Sequence, residues 1–176
     1  PWPDTDNDGV LDKDDACPTV PGLPEYNGCP KPTAVAVTEE FKDLLFDFNK
    51  ATIQPGSTHK LDKAAEIIKS APAENFVVVG TTDAKGSAAY NLNLSRQRAA
   101  AVVKALEARG VNPAQLKSIG IGSQEATVPA TASDAERQVD RKVIVRAISG
   151  AEWDTYKKSD LPSTPVKKAA PTKKRK

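Results

Sequence analysis

An acid and an arginine lie on either side of the start of a predicted helix. Asp83 follows an apolar stretch that is typical of a strand, and Arg98 comes fifteen positions later, on the helix. Opposite charges on adjacent rigid elements can receive a small zwitterion, because an ammonium can face the acid and a carboxylate can face the planar guanidinium. The alternative is an ordinary surface ion pair, which contributes about 0–1 kcal/mol to stability.

A second candidate site lies in residues 1–30, where acids recur at short intervals. The oxygen donors that follow calcium-loop spacing are Asp4, Asp6, Asp8, the carbonyl of Val10, Asp12 and Asp15. Gly9 occupies the sixth position, where such a loop turns sharply. Carboxylates this close repel one another, and a hard divalent cation relieves the repulsion. The spacing predicts bound Ca²⁺, and the alternative is a solvated acidic linker.

The two cysteines, Cys17 and Cys29, lie in the same Pro- and Gly-rich segment. Their closeness favours a disulfide and an oxidising compartment. The alternatives are two free thiols or half of a zinc site. Zinc usually takes four ligands, and the only histidine, His59, is distant in sequence.

The net charge of +2 conceals a segregation of charge along the chain. Residues 1–30 carry a net charge of −6, and residues 157–176 carry +7. The basic balance therefore belongs to the tail and does not indicate a nucleic-acid-binding core. No apolar run approaches the roughly 20 residues that a membrane-spanning helix needs. The chain starts at Pro1 and contains no methionine, so we expect a piece of a longer protein whose membrane anchor lies in another region.

Hydrophobic periodicity predicts an α+β domain within residues 40–156. Helices are expected after Ser57 and Ser87, each a possible N-cap. The apolar stripe of the first is Leu61, Ala64, Ala65 and Ile68, and that of the second is Ala99, Val102, Val103 and Leu106. Strands are expected at Leu44–Phe48, Phe76–Gly80, Leu116–Gly122 and Arg141–Ile148. The order βαβαββ predicts a mixed sheet with two main helices packed on it.

The remaining segments are expected to be irregular. Residues 31–39 are interpreted as a linker or an edge strand, and residues 123–138 are polar without clear periodicity. Residues 157–176 are rich in Pro and Lys and are predicted to be a disordered basic tail.

Two stretches resemble known families. Residues 40–148 resemble the C-terminal, peptidoglycan-binding domain of the OmpA family, on the motifs FDFNKATIQP, GTTD, NLNLSRQRAAAVVKAL, GV, IGIGSQ and DRKV. The pattern N-x-x-L-S-x-x-R-A at Asn91–Ala99 is highly specific after a strand that ends in T-D. Residues 3–30 carry DxDxDGxxDxxDxCP and resemble a thrombospondin type-3 repeat, which implies a spacer organised by calcium and a disulfide.

The OmpA resemblance implies non-catalytic binding of diaminopimelate in the stem peptides of peptidoglycan. The family's acid falls on Asp83, which would face the ligand ammonium, and its arginine falls on Arg98, which would grip the carboxylate. Family asparagines fall on Asn49 and Asn91, and a further arginine falls on Arg141. These three would supply polar contacts and position the loops.

Two positions depart from the family pattern. Many members have His where this chain has Thr81, and Asn where it has Asp140. We expect Thr81 to affect the support of the loop that carries Asp83. An extra acid beside Arg141 is expected to weaken the role of that arginine.

These features favour an anchor at the periplasmic face of the outer membrane of a Gram-negative bacterium, attached through a preceding region. The alternative is a calcium-dependent adhesion or spacer module of a cell-surface protein. An enzyme is not expected, because the sequence offers no nucleophile–base pair, no metal-ligand cluster with an open position and no paired catalytic carboxylates.

Overall fold

The architecture is that of an α+β domain built on a three-stranded mixed sheet, which confirms the predicted fold class. The structure is a computed structural model that describes residues 1–47 and 49–161. Strand β1 (Phe76–Thr81) lies in the centre, parallel to β2 (Leu116–Gly122) and antiparallel to β3 (Val143–Ala147). Every residue of β1 is buried, as its unbroken apolar run predicts for a strand covered on both faces.

Three helices cover one face of the sheet: α1 (Thr33–Glu40), α2 (Thr58–Lys69) and α3 (Ala88–Ala108). Both predicted apolar stripes are buried in α2 and α3. Helix α3 approaches the sheet closely because two strand glycines leave room for its backbone. A Cβ atom on Gly80 would lie 2.2 Å from the Ser95 carbonyl oxygen, and one on Gly120 would lie 2.3 Å from the Arg96 nitrogen.

Shorter elements complete the fold. Two further helices are α4 (Asp134–Arg137) and α5 (Gly150–Thr155), and 3-10 turns occupy Pro24–Tyr26, Pro55–Ser57, Pro113–Gln115 and Gln138–Asp140. Trp153 and Tyr156 pack against Val77 and Val79 on the sheet face opposite α1–α3. Among the described helices, none is long and apolar enough to cross a bilayer.

Residues 1–30, which we call the acidic segment, are organised differently. A disulfide joins Cys17 to Cys29, as predicted. In the part of the chain that the structure describes, no buried hydrophobic residue precedes Ala34. The segment is therefore held by a covalent link and polar contacts, without a hydrophobic core.

Two predicted elements near the start of the domain differ from those observed. The interpretation of residues 31–39 as a linker or edge strand was wrong, because most of them lie in α1. Ala34, Val37 and Phe41 recur at helical spacing and are buried. Around the predicted strand Leu44–Phe48, the described residues form only an isolated antiparallel bridge between Phe46 and Ile53.

The start of the predicted tail is also ordered. Residues 157–161, here called the strap, run along the outer edge of β2. The Ser118 N–H donates to the Lys158 carbonyl at 3.1 Å, and the Asp160 N–H donates to the Ser118 carbonyl at 3.3 Å. On the opposite edge, the Thr38 hydroxyl accepts from the Val145 N–H at 2.9 Å. The rest of the predicted tail, residues 162–176, lies outside the described residues.

Candidate functional site

All five residues predicted to bind a ligand line one cavity of about 520 Å³. It lies among the segment after β1, the start of α3, residues 44–46, 49 and 54, and the segment 134–142. The predicted residues that line it are Asn49, Asp83, Asn91, Arg98 and Arg141. The fold thus brings together side chains that are up to 92 positions apart in the sequence.

The Asp83 carboxylate is buried and held by two arginines. Its Oδ2 accepts from Arg137 Nη1 at 2.8 Å and from Arg141 Nη1 at 2.7 Å. Its Oδ1 accepts from the Lys85 backbone N–H at 2.9 Å. Burial by itself would raise the pKa of Asp83, but the hydrogen bonds from Arg141 and Lys85 and the charge of Arg137 outweigh it, so the pKa is lowered. Asp83 is therefore an ionised and fixed acid.

Arg98 is half-buried on α3 and is held from the other side of the cavity. Its Nε donates to the Lys50 carbonyl at 3.1 Å, and its guanidinium carbon lies 5.0 Å from the centroid of the Phe46 ring. Burial lowers the pKa of Arg98, and the positive charge of Arg141 adds to that effect. An arginine nevertheless stays charged in proteins. No salt bridge links the described side chains of Asp83 and Arg98, so they are not a simple ion pair.

The two predicted asparagines shape the backbone around the charges. Asn91 is buried, and its Nδ2 donates to the Lys85 carbonyl at 2.9 Å, which ties the loop after Asp83 to α3. Asn49 is exposed at the turn before Lys50 and has a positive φ of 56°. Asparagine tolerates that left-handed conformation better than most residues, and the turn presents the carbonyl that holds Arg98.

Both departures from the family pattern have visible contacts. The Thr81 hydroxyl donates to the Asp140 carbonyl at 2.8 Å, so it joins the Asp83 loop to the segment that carries Arg141. The Asp140 carboxylate accepts from the backbone N–H groups of Thr127 and Val128 at 2.9–3.0 Å. Burial would raise the pKa of Asp140, but these hydrogen bonds lower it overall. The Asp140 carboxylate is thus bound to the backbone of Thr127 and Val128, and the expectation that it weakens the role of Arg141 stays a prediction.

Arg137 lines the same cavity, although no sequence pattern pointed to it. Its side chain is only 8% exposed, and besides Asp83 it contacts the Ala132 carbonyl, to which Nε donates at 3.1 Å. The segment 123–138 looked irregular, although it contains the capping-box pattern of Ser133 and Glu136 that begins α4. The capping box predicts the short helix α4, but it does not predict that the Arg137 side chain points toward Asp83.

The acidic segment places several carboxylates face to face. Oxygens of Asp4, Asp6 and Asp8 all lie within 4.8 Å of one another. One oxygen each of Asp4, Asp6 and Asp15 is buried without a hydrogen-bond partner among the described atoms. These residues hold the first, third and twelfth positions of the predicted loop, and their oxygens are ligands that suit a hard divalent cation.

Other carboxylate oxygens of the loop are occupied by the backbone. Asp8 Oδ1 accepts from the Val10 N–H at 2.8 Å and Oδ2 from the Gly22 N–H at 2.9 Å. Both oxygens of Asp12 are bound by Thr5, through its N–H at 2.9 Å and its hydroxyl at 2.6 Å. Burial and the neighbouring carboxylates raise the pKa of Asp6. The residues present thus fit a cation, while Asp12 is turned toward Thr5.

The sequence profile of the OmpA family matches residues 45–141, more than half of the chain. The chain belongs to the OmpA family. The matched range includes all five residues that were predicted to bind a ligand, together with Arg137. The acidic segment lies before that range, and its likeness to a thrombospondin repeat rests on the sequence motif alone.

Several proteins that are similar to this chain have names that place them in the bacterial envelope. Outer membrane porin F of Pseudomonas aeruginosa is 34% identical over 80% of this chain and 40% of its own length. Outer membrane protein A of Bordetella avium is 35% identical over 57% of this chain and 56% of its own length. The peptidoglycan-associated lipoprotein of Pasteurella multocida is 32% identical over 51% of this chain and 60% of its own length. The chain thus spans less than two thirds of each relative.

Solved structures share the fold. The peptidoglycan-associated lipoprotein from Burkholderia pseudomallei aligns with a TM-score of 0.53 and 30% identity, covering 60% of this chain and 88% of that one. The periplasmic domain of Helicobacter pylori MotB, residues 78–256, aligns with a TM-score of 0.55 and 26% identity, covering 63% of this chain and 74% of that one.

Proposed function

We propose that the OmpA-like domain binds peptidoglycan non-covalently, through the diaminopimelate of its stem peptides. The observation that carries this proposal is the shared cavity of Asp83 and Arg98, in a chain whose relatives include a peptidoglycan-associated lipoprotein. In this proposal the domain acts at the periplasmic face of the outer membrane. A region outside this chain joins it to that membrane, as the partial match to porin F supports.

Asp83 has room for a ligand ammonium on one oxygen. A carboxylate offers about four lone-pair sites. Arg137 and Arg141 fill those of Oδ2, and the Lys85 N–H takes one on Oδ1. An ammonium approaching Oδ1 therefore finds an acceptor that is fixed in place before the ligand arrives, which reduces the ordering cost of binding.

Arg98 can meet a carboxylate with the outer part of its guanidinium. Of its five N–H donors, the described contacts use only the one on Nε, bound to the Lys50 carbonyl. The terminal nitrogens can then grip both oxygens of a carboxylate in parallel. The Phe46 ring supports the guanidinium from one side. Together Asp83 and Arg98 would bind the free amino-acid end of diaminopimelate.

Binding of one stem peptide is expected to be weak, because charged groups on both sides lose solvation on association. Many domains attached to one membrane would face many stem peptides of one wall. The resulting high effective concentration makes the attachment firm without any single strong site. Such an anchor requires no catalysis, which accords with relatives named as envelope proteins.

Co-sedimentation with purified sacculi tests the proposal. Arg98→Ala and Asp83→Asn are expected to reduce the sedimented fraction to that of a non-binding protein. The matched controls are Arg96→Ala, on the same helix but paired with Asp160, and Asp62→Asn, paired with Arg109 on the surface. Thermal unfolding shows whether each variant is folded. Sedimentation of both folded site variants at the parent level would contradict the assignment.

We also propose that the acidic segment binds Ca²⁺ and serves as a spacer, as its resemblance to a type-3 repeat implies. The partnerless buried oxygens of Asp4, Asp6 and Asp15 support this second function. Calorimetric titration with CaCl₂ is expected to show binding that Asp6→Asn weakens at least tenfold, about 1.4 kcal/mol. Asp14→Asn is the control, since Asp14 is exposed beside Lys13. Equal affinity in both variants would contradict the site.

The adhesion alternative is separated from the anchor by chelation. If EDTA abolishes attachment to sacculi while Arg98→Ala leaves it intact, the acidic segment is the binding element. The proposed anchor predicts the reverse, with attachment that survives EDTA and is lost in Arg98→Ala.

A further inference from the structure

The cavity carries an excess of positive charge. Among the described residues that line it, five side chains are basic and two are acidic: Lys85, Arg98, Arg137, Arg141 and Lys142 against Asp83 and Asp134. A cavity with this excess of positive charge favours a ligand that carries more negative than positive charge. A free amino-acid end, with one ammonium and one carboxylate, leaves the excess uncompensated.

Arg137 contributes the buried part of this excess. The exposed fractions of the side chains are 8% for Arg137 and 9% for Asp83, against 22% for Arg141. Arg137 and Arg141 share the same oxygen of Asp83, so one negative charge faces two positive charges at hydrogen-bond distance. Asp134 lies 3.7 Å from Arg137 and 3.1 Å from Arg141, but it is 80% exposed and strongly solvated.

The other basic groups of the cavity remain open to a ligand. Within the described part of the chain, Lys85, Arg98 and Lys142 form no salt bridge, whereas Asp83 has two arginine partners. The attraction of Asp83 for an incoming ammonium is therefore reduced by charges that are already bound to it. The attraction of the open basic groups for carboxylates is not offset in that way.

We propose that Arg137 is a specificity-determining residue that neutralises Asp83, so that the cavity selects its ligand by carboxylates more than by the ammonium. This inference rests on the proposed function and deepens it. Two ligands that both carry a free amino-acid end are compared. The ligand whose second, neighbouring carboxylate is also free should bind more tightly than the same ligand with that carboxylate amidated. Arg137 acts through Asp83 and Arg141, and so it is a positioning residue.

A purely structural role for Arg137 makes a different prediction. If Arg137 only held the loop of Asp83 in place, its loss would weaken every ligand by a similar factor. If it sets the charge of the site, its loss would weaken carboxylates and strengthen cations. The ratio of two affinities therefore separates the two roles.

Two simple probes measure that ratio in the whole chain. Pimelate carries two carboxylates and no amine, and 1,5-diaminopentane carries two ammonium groups and no carboxylate. NMR titration of the parent protein at low salt is expected to show pimelate binding at least tenfold more tightly than the diamine. Equal binding, or tighter binding of the diamine, would overturn the inference.

Variants at Arg137 test the cause. Arg137→Met is expected to lower the pimelate-to-diamine ratio at least tenfold, whereas Arg137→Lys, which keeps the charge, largely preserves it. The matched control is Arg146→Met, an exposed arginine of β3 outside the cavity, which should leave the ratio unchanged. A parallel loss of both ligands in Arg137→Met would overturn the inference. If that variant does not fold, the parent ratio and the lysine variant decide.

Failure of the inference is distinguishable from failure of the proposed function. If diaminopimelate and sacculi bind through Arg98, but pimelate does not bind more tightly than 1,5-diaminopentane, only the inference fails. If neither diaminopimelate nor sacculi bind the parent protein, both fail. Diaminopimelate with one carboxylate amidated completes the series and is expected to bind more weakly than the free diacid.

Discussion

The acidic segment and the cavity both gather carboxylates, but they compensate the charge in opposite ways. In the acidic segment, Asp4, Asp6 and Asp8 face one another, and the pKa of Asp6 is raised by burial and by its neighbours. In the cavity, Asp83 faces Arg137 and Arg141, and its pKa is lowered. For the acidic segment we propose a cation from solution, whereas in the cavity two arginines of the chain itself face the acid. The same residue type therefore underlies the proposed metal site in one region and the proposed ligand site in the other.

The two regions also differ in what holds them together. The acidic segment has the disulfide of Cys17 and Cys29 and contributes no buried hydrophobic residue in the described chain. The domain has a core between α1–α3 and the sheet, centred on residues such as Phe76, Val102 and Leu106. Each region should consequently respond to a perturbation that the other ignores.

Combined reduction and chelation should have the largest effect. In the chain-entropy model, a disulfide that closes a loop of about 15 residues contributes about 3 kcal/mol. Without it and without Ca²⁺, residues 1–30 are expected to unfold completely while the domain keeps its melting temperature. Amide hydrogen exchange resolved by residue measures both regions in one sample. Retained protection in residues 1–30, or unfolding of the domain, would show that the two regions are not held together by different interactions.

Leu106→Ala perturbs the domain alone. Truncation of a fully buried leucine removes apolar contacts and leaves a cavity, which destabilises proteins by about 2–5 kcal/mol. We expect denaturant unfolding of the domain to shift by that amount. The calcium affinity of the acidic segment should stay at the parent value in the same variant, and a joint loss would indicate that the two regions fold together.

The opposite charge environments predict an acid-sensitive domain. Because the folded pKa of Asp83 is lowered, its contribution to stability is present above its unfolded value, near pH 3.9, and is lost as the pH falls through the folded value. Asp140 acts in the same direction. A carboxyl ¹³C titration should place the Asp83 midpoint below about 3.9, and Arg137→Met should raise it. A midpoint at or above the ordinary value would contradict the paired state of Asp83.

The smallest predicted effect concerns the strap. Asp160 accepts from the Gly120 N–H at 3.0 Å and from Arg96 Nε at 3.0 Å, and it is partly exposed. Asp160→Ala should cost about 0.5–1.5 kcal/mol, as expected for lost hydrogen bonds, and should speed exchange of the Gly120 amide. Asp154→Ala is the control, since Asp154 lies on exposed α5 surface. Unchanged exchange at Gly120 would show that the strap does not protect the edge of β2.

Local patterns predicted much of the fold because they report on a single element. The stripe of Leu61, Ala64, Ala65 and Ile68 follows from helical spacing and is buried. Ser87 was expected to cap α3, and its hydroxyl accepts from the Tyr90 N–H at 3.1 Å. Ser57 occupies the predicted cap position of α2, but its hydroxyl accepts from the Leu45 N–H at 3.0 Å instead. At Ser57, a hydrogen bond from a residue distant in sequence takes the place of the expected helix cap.

What the sequence did not reveal depends on contacts distant along the chain. Arg137 is buried because it meets Asp83, 54 positions earlier, and no local period encodes that pairing. The strap is ordered because the edge of β2 offers it hydrogen bonds, which composition alone does not show. The family motif predicted Asp83 and Arg98 as ligand-binding residues. It did not reveal that Asp83 is already paired with two arginines.

NMR titration with free diaminopimelate shows whether the fixed charges of the cavity bind the amino-acid end of a stem peptide. We expect saturable shifts at the amides of residues 83–86 and at the Arg98 Nε–H. These shifts should vanish in Arg98→Ala and persist in Arg96→Ala. If diaminopimelate shifts no cavity resonance in the folded parent protein, or shifts them equally in Arg98→Ala, the cavity does not bind this ligand through Arg98.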